Sequence, residues 1–125
     1  MELLLAEDDQ GFAILLSMEL EEQGNHVDMA TNGLDGRSLG LRNHYDIIIL
    51  DLMLPGMNGR QVCRVLKKNN ISTPVLIMSA LDSPDEKEAC LLAGASDFIE
   101  KPFLFEDFYH KLLLIDKENR MTRNE

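Results

Sequence analysis

Positive charge is scarce in this chain. Over 125 residues, 12 Lys and Arg stand against 22 Asp and Glu, a net charge of −10 at neutral pH. That balance argues against nucleic acid as a direct partner, because phosphate binding needs a basic face and no Lys/Arg cluster here outweighs the acids. It suits a cation or a basic protein surface, although solubility accounts for most of the acids. Cysteine is also sparse. Cys63 and Cys90 both fall inside helical patterns with apolar neighbours and no second ligand pair nearby, so they read as small buried hydrophobes in a reducing compartment. No apolar run approaches the roughly 20 residues that cross a bilayer, and the amino terminus shows neither a basic leader nor a signal-length apolar stretch. A cytoplasmic location without membrane contact is therefore expected.

What is present is a repeated alternation of short apolar runs and amphipathic stretches. A chain of this length forms one domain, burying about two thirds of its unfolded surface. The organising stretch is Ile47-Ile48-Ile49-Leu50-Asp51, an uninterrupted and largely β-branched run, with Pro55-Gly56 and Asn58-Gly59 soon after it. Such a run reads as a central strand covered on both faces, ended by a turn. Leu3 to Ala6, Val75 to Met78 and Asp97 to Glu100 read as strands too, and His26 to Ala30 alternates as an edge strand does.

Between the strands the spacing predicts five helices. The first places Phe12, Leu15, Leu16 and Leu20 on one face. The second has a poor signal: Leu34 and Leu41 share a face, but Gly36 and Gly40 each cost about 1 kcal/mol relative to Ala, so a short or mobile helix is expected. Asn58 and Gln61 form a capping pair for the third, whose buried stripe is Val62, Val65 and Leu66. For the fourth, Ser83 caps, Pro84 takes the first helical position and Glu86 reaches back. The last carries Phe105, Phe108, Tyr109 and Leu112. Residues 117–125 read as a polar tail or the start of a linker, leaving 1–116 as the domain. Five strand-helix units imply a parallel sheet with helices on both faces and right-handed crossovers.

The carboxyl edge of such a sheet is where open α/β folds place their chemistry. Here that edge collects Glu7, Asp8 and Asp9 after the first strand, Asp51 after the third, Ser79 after the fourth and Lys101 after the fifth. Taken singly, each has a plain structural explanation: a strand-end Asp or Ser is usually a turn or capping residue, and a Lys before Pro is usually solvated. Asp9 is read mainly as a helix cap. A reversal of winding between the first and third strands would bring Glu7, Asp8 and Asp51 together, and three close carboxylates repel unless a cation joins them. An all-oxygen set without His or Cys suits Mg²⁺ better than Zn²⁺. A hydroxyl and an ammonium beside a carboxylate can hold the oxygens of a phosphoryl group while that carboxylate attacks phosphorus.

These residues together resemble the receiver domain of two-component response regulators. The resemblance covers about Leu3 to Ile115 and rests on Leu-Leu-Ala-Glu7-Asp8-Asp9, Leu50-Asp51-Leu-Met-Leu-Pro55-Gly56-Met-Asn-Gly59, Leu-Ile-Met-Ser79-Ala80, and Asp97-Phe98-Ile-Glu-Lys101-Pro102-Phe103. It implies a flavodoxin-like, doubly wound five-stranded parallel sheet, order 2-1-3-4-5, with five helices. It implies Asp51 as phosphoacceptor, with Glu7, Asp8, Asp51 and the Met53 backbone carbonyl holding Mg²⁺. Ser79 would bond a phosphoryl oxygen, and Lys101, in a cis Lys101-Pro102 unit, would pair with the phosphoryl group. Ser79 and Phe98 would be the switch, altering the face made by the fourth helix, fifth strand and fifth helix. The implied partners are a sensor histidine kinase or histidine phosphotransfer protein upstream, and an effector domain or protein downstream. The domain is a signalling module rather than an enzyme, promoting only its own phosphorylation and dephosphorylation.

The chain departs from many relatives in three places. Met53 and Leu81 stand where polar residues often position hydrolytic water, so slow loss of phosphate is expected. Gly36, Arg37 and Gly40 weaken the second helix. Leu104 to Leu114 lacks the arginines that pair dimer faces in a large DNA-binding subfamily, which leaves phosphorylation-dependent dimerisation open. Other readings fit less well. A flavin or nucleotide carrier would have its phosphate repelled by Glu7-Asp8-Asp9, and a phosphohydrolase would need an acid/base where Met53 stands. A degenerate receiver that only binds would not need Glu7, Asp8, Asp51, Ser79 and Lys101 together.

Overall fold

The apolar runs become the strands of one sheet. In a computed structural model, which describes residues 1–123, the elements alternate as β1 (Glu2–Ala6), α1 (Gln10–Glu22), β2 (His26–Ala30), α2 (Gly33–Arg42), β3 (Ile47–Asp51), α3 (Gly59–Lys68), β4 (Val75–Ser79), α4 (Pro84–Leu92), β5 (Asp97–Glu100) and α5 (Phe105–Arg123). All five strands are parallel, in the order β2-β1-β3-β4-β5. The expected doubly wound architecture is thus observed. Each strand points alternate residues to opposite faces. Leu4, Ile48, Leu50 and Ile77 face a core shared with Val62, Cys63 and Leu66 of α3 and Cys90 of α4. Leu3, Leu5, Ile47, Ile49 and Met78 face a second core with α1 and α5.

Local capping agrees with the residue types. Asp9 caps α1 by accepting from the Phe12 N–H at 3.1 Å. Asn58 and Gln61 form a reciprocal capping box on α3. Ser83 caps α4, but Glu86 does not reach back. Its carboxylate pairs instead with Arg60 of α3, Nη1 to Oε1 3.1 Å, because a neighbouring helix offers a charged donor.

Three packing expectations are corrected. Leu15 is 63% exposed, and α1 buries Ala13, Leu16 and Leu20. On α3, Cys63 rather than Val65 shares the fully buried stripe with Val62 and Leu66. On α2, Leu34 and Leu41 stay 46% and 39% exposed while Gly33, Gly36 and Gly40 are buried, and the helix runs a full 10 residues. The glycines that weaken its propensity let it lie close: a Cβ on Gly40 would stand 2.9 Å from Leu66 Cδ2. Packing here outweighs propensity. Residues 117–123 of the expected tail continue α5 as helix, with Arg120 paired to Asp116 at 3.0 Å. Residues 124–125 lie outside the described residues. Among the described residues no helix is long and apolar enough to cross a membrane.

Candidate phosphoacceptor site

Four strand ends converge at the carboxyl edge. Asp51 is the last residue of β3, Ser79 the last of β4, and Glu7 and Lys101 follow β1 and β5 directly. Parallel pairing of β1 with β3 and of β3 with β4 carries these ends to one side, with Ala6 opposite Leu50 and Asp51 opposite Met78. The loop after Asp51 is tied back at once, since the Leu52 N–H donates to the Met78 carbonyl at 2.8 Å and the Gly59 N–H to the Leu52 carbonyl at 2.9 Å. A Cβ on Gly59 would lie 2.4 Å from the Asp51 carbonyl oxygen, so only glycine admits this approach of α3 to the strand end.

Side-chain oxygens of Glu7, Asp8 and Asp51 lie within 4.8 Å of one another. Glu7 and Asp51 are buried, while Asp8 is exposed. The Lys101 ammonium is the cation that meets them, bonded to Glu7 Oε1 and 3.0 Å from Asp51 Oδ1. Its amine also lies 4.7 Å from the Phe12 ring centroid. Burial pushes the Glu7 carboxyl above its ordinary range, a shift that the Lys101 hydrogen bond opposes and the Asp51 charge adds to. Burial alone would lower the Lys101 ammonium, but its hydrogen bonds to Glu7 and Asp51 outweigh that and hold it above its ordinary value. Glu7 and Asp51 therefore share one ammonium, and Asp8 adds a third negative charge beside them. The hard, all-oxygen donor set with unbalanced negative charge fits a Mg²⁺ ion.

The remaining predicted residues take distinct positions. Ser79 is fully buried, and its Oγ accepts the Leu81 N–H at 2.9 Å, which leaves the hydroxyl proton available to another acceptor. Met53 and Leu81, two residues after Asp51 and Ser79, are 61% and 43% exposed. Phe98 does not touch the acid group; it lies in the core facing α3 and α4, 5% exposed. It also lines a groove of about 580 Å³ with Lys87 of α4, Pro102, Leu104 and Lys111 of α5. The Lys101-Pro102 peptide is cis. Sequence reasoning missed Phe12 as the ring beneath Lys101. Its spacing on α1 is that of a core residue, and only the approach of the β5–α5 turn separates the two roles.

A family model described as the response regulator receiver domain matches residues 3–113. The chain belongs to that family. As a receiver domain it is part of two-component signalling. The response regulator ArlR of Staphylococcus aureus is 40% identical over 114 residues, covering 91% of this chain and 52% of that protein. The chain thus spans about half the length of the curated relatives it matches. A Francisella response regulator receiver domain superposes with a TM-score of 0.89 at 34% identity, covering 94% of this chain and 97% of that one. The receiver domain of a Pseudomonas aeruginosa sensor histidine kinase, solved with a magnesium ion coordinated in its active site cleft, gives 0.85 at 26% identity, covering 93% and 97%.

Proposed function

We propose that this receiver domain accepts a phosphoryl group on Asp51 from the phosphohistidine of a sensor histidine kinase or histidine phosphotransfer protein. The observation that carries the reading is the meeting of Glu7, Asp8 and Asp51 within 4.8 Å, with Lys101 on Asp51 Oδ1 at 3.0 Å. An Asp51 oxygen attacks phosphorus, the P–N bond breaks, and its electron pair returns to the imidazole nitrogen of the donor. Glu7, Asp8, Asp51 and the Met53 carbonyl would hold Mg²⁺, whose charge offsets that of the phosphoryl oxygens. Lys101 turns from the carboxylates to a phosphoryl oxygen, and the Ser79 hydroxyl donates to another. The module catalyses nothing beyond its own phosphorylation and dephosphorylation, and it acts in the cytoplasm.

The readout follows from the Ser79 contacts. A hydroxyl drawn toward the phosphoryl group loosens its bond to the Leu81 N–H and releases the loop leading to α4. Phe98, which pairs with Ile77 two residues before Ser79 in register, borders the groove between α4, β5 and α5. A shift of Ser79 and Phe98 thereby reshapes that face, which meets an effector domain, a downstream protein or a second copy. Residues 1–116 form the receiver unit, and residues 117–123 carry α5 on as a polar tail or the start of a linker.

Intact mass after incubation with acetyl phosphate tests the assignment. The native chain gains one phosphoryl group only with Mg²⁺, and Asp51→Asn gains none. A native chain that gains nothing in either condition makes Asp51 a structural residue and the domain a binding module.

A further inference from the structure

We infer that Gly33, the first residue of α2, is a positioning residue for the β3–α3 loop and, through that loop, for Mg²⁺ binding beside Asp51. The inference rests on the proposed ligand set, in which the loop contributes the Met53 carbonyl. The loop spans 52–58 between the end of β3 and the start of α3. Its far end is held by Gly59 against the Asp51 carbonyl. Its middle is held by α2.

Three contacts make that second hold. The Gly33 N–H donates to the Pro55 carbonyl at 3.0 Å. A Cβ on Gly33 would stand 1.7 Å from the Met57 carbonyl oxygen, so the helix start and the loop backbone touch with no room for a side chain. Leu34 Cγ lies 3.5 Å from where a Cβ on Gly56 would stand, so the side chain covers the turn at Gly56, whose φ is +80°. Leu52 and Leu54 are buried on either side of exposed Met53, so the backbone at Met53 follows whatever moves its neighbours.

The other buried glycines of α2 differ in what they meet. Gly36 and Gly40 face the Ala6 and Leu66 side chains, and Leu66 can rotate or give by a few tenths of an ångström. Gly33 faces loop backbone, which can yield only by moving the loop. A methyl group there displaces Met57 by more than about 1 Å, a misplacement large enough to spoil ligand geometry.

Isothermal titration with Mg²⁺ of the native chain, Gly33→Ala, Leu34→Ala and Gly40→Ala, each with a thermal melt, tests this. Gly33→Ala is expected to bind Mg²⁺ at least about tenfold more weakly. Leu34→Ala, at a half-exposed position that the fold tolerates, weakens binding about threefold. Gly40→Ala changes the melt while its Mg²⁺ affinity stays within about twofold of native. Should Gly33→Ala fail to fold, Leu34→Ala decides alone. Native-like affinity in both loop-side variants overturns the inference and leaves the phosphoacceptor reading intact, as does equal weakening in Gly40→Ala. A native chain that takes up no Mg²⁺ overturns both.

Discussion

The two ends of the sheet handle acidic side chains in opposite ways. Toward the amino edge the acids are spread out: Asp46 accepts the Glu2 N–H at 2.6 Å, Asp28 in the middle of β2 accepts the Tyr45 hydroxyl at 2.7 Å, and Glu2 lies 2.9 Å from His26, whose other ring nitrogen is 3.9 Å from Asp28. At the carboxyl edge Glu7, Asp8 and Asp51 crowd together, and Glu7 and Asp51 share Lys101. Dispersed acids add modest, local stability. Crowded acids with one ammonium among them hold unbalanced negative charge, which a divalent cation would offset.

The sharpest way to break this contrast is to remove the shared cation. Lys101→Met leaves Glu7 and Asp51 buried without a counter-charge and should destabilise the metal-free chain by about 3 kcal/mol in a urea melt, part of it recovered in Mg²⁺. A loss no larger than that from an exposed pair would mean that the two edges are equivalent. Next in size is the phosphate lifetime. Met53→Asn with Leu81→Asn should speed loss of the phosphoryl group about fivefold, close to 1 kcal/mol in barrier, by letting water be oriented for in-line attack. A time course of intact mass checks it.

At the amino edge the effects should be smaller. Tyr45→Phe removes one neutral donor from Asp28 and should cost about 1 kcal/mol, while His26→Ala, in an exposed pair, should stay within about 0.5 kcal/mol. Both are read by denaturant melts. The mildest test is pH. The Glu7 carboxyl is held above its ordinary 4.5 chiefly by burial, so the folded chain keeps this proton more tightly than the unfolded chain. In metal-free buffer this contribution to stability is present below about pH 4.5 and declines as pH rises through the folded value. Glu7→Gln should flatten that decline in melts from about pH 4 to about pH 7, and an unchanged pH profile would remove Glu7 from the crowded group.

Parts of the site were legible because they depend on local pattern. The apolar runs ending in Asp51 and Ser79 mark strands whose last residues must emerge at one edge of a parallel sheet, and Glu7 and Lys101 follow such runs directly. α2 was harder to read. Its fully buried positions are glycines, with Leu39 packing beside them, so the usual signal of large apolar residues at helical spacing points the wrong way, to Leu34 and Leu41. Leu15 misled for a related reason: an apolar residue on a helix surface looks the same in sequence whether or not a neighbour covers it.

The order of apolar runs and turns by itself determined the strands, their parallel sheet and the edge on which the acids emerge, because strand periodicity and crossover handedness are local and chiral constraints. Only the tertiary structure decided which side chains meet across that edge. Lys101 lies between Glu7 and Asp51 and over Phe12, Glu86 turns to Arg60, and Gly33 touches the Met57 carbonyl. Each of these contacts joins residues far apart in the chain, and its geometry depends on how helices settle on the sheet, which close packing sets and residue order does not encode directly.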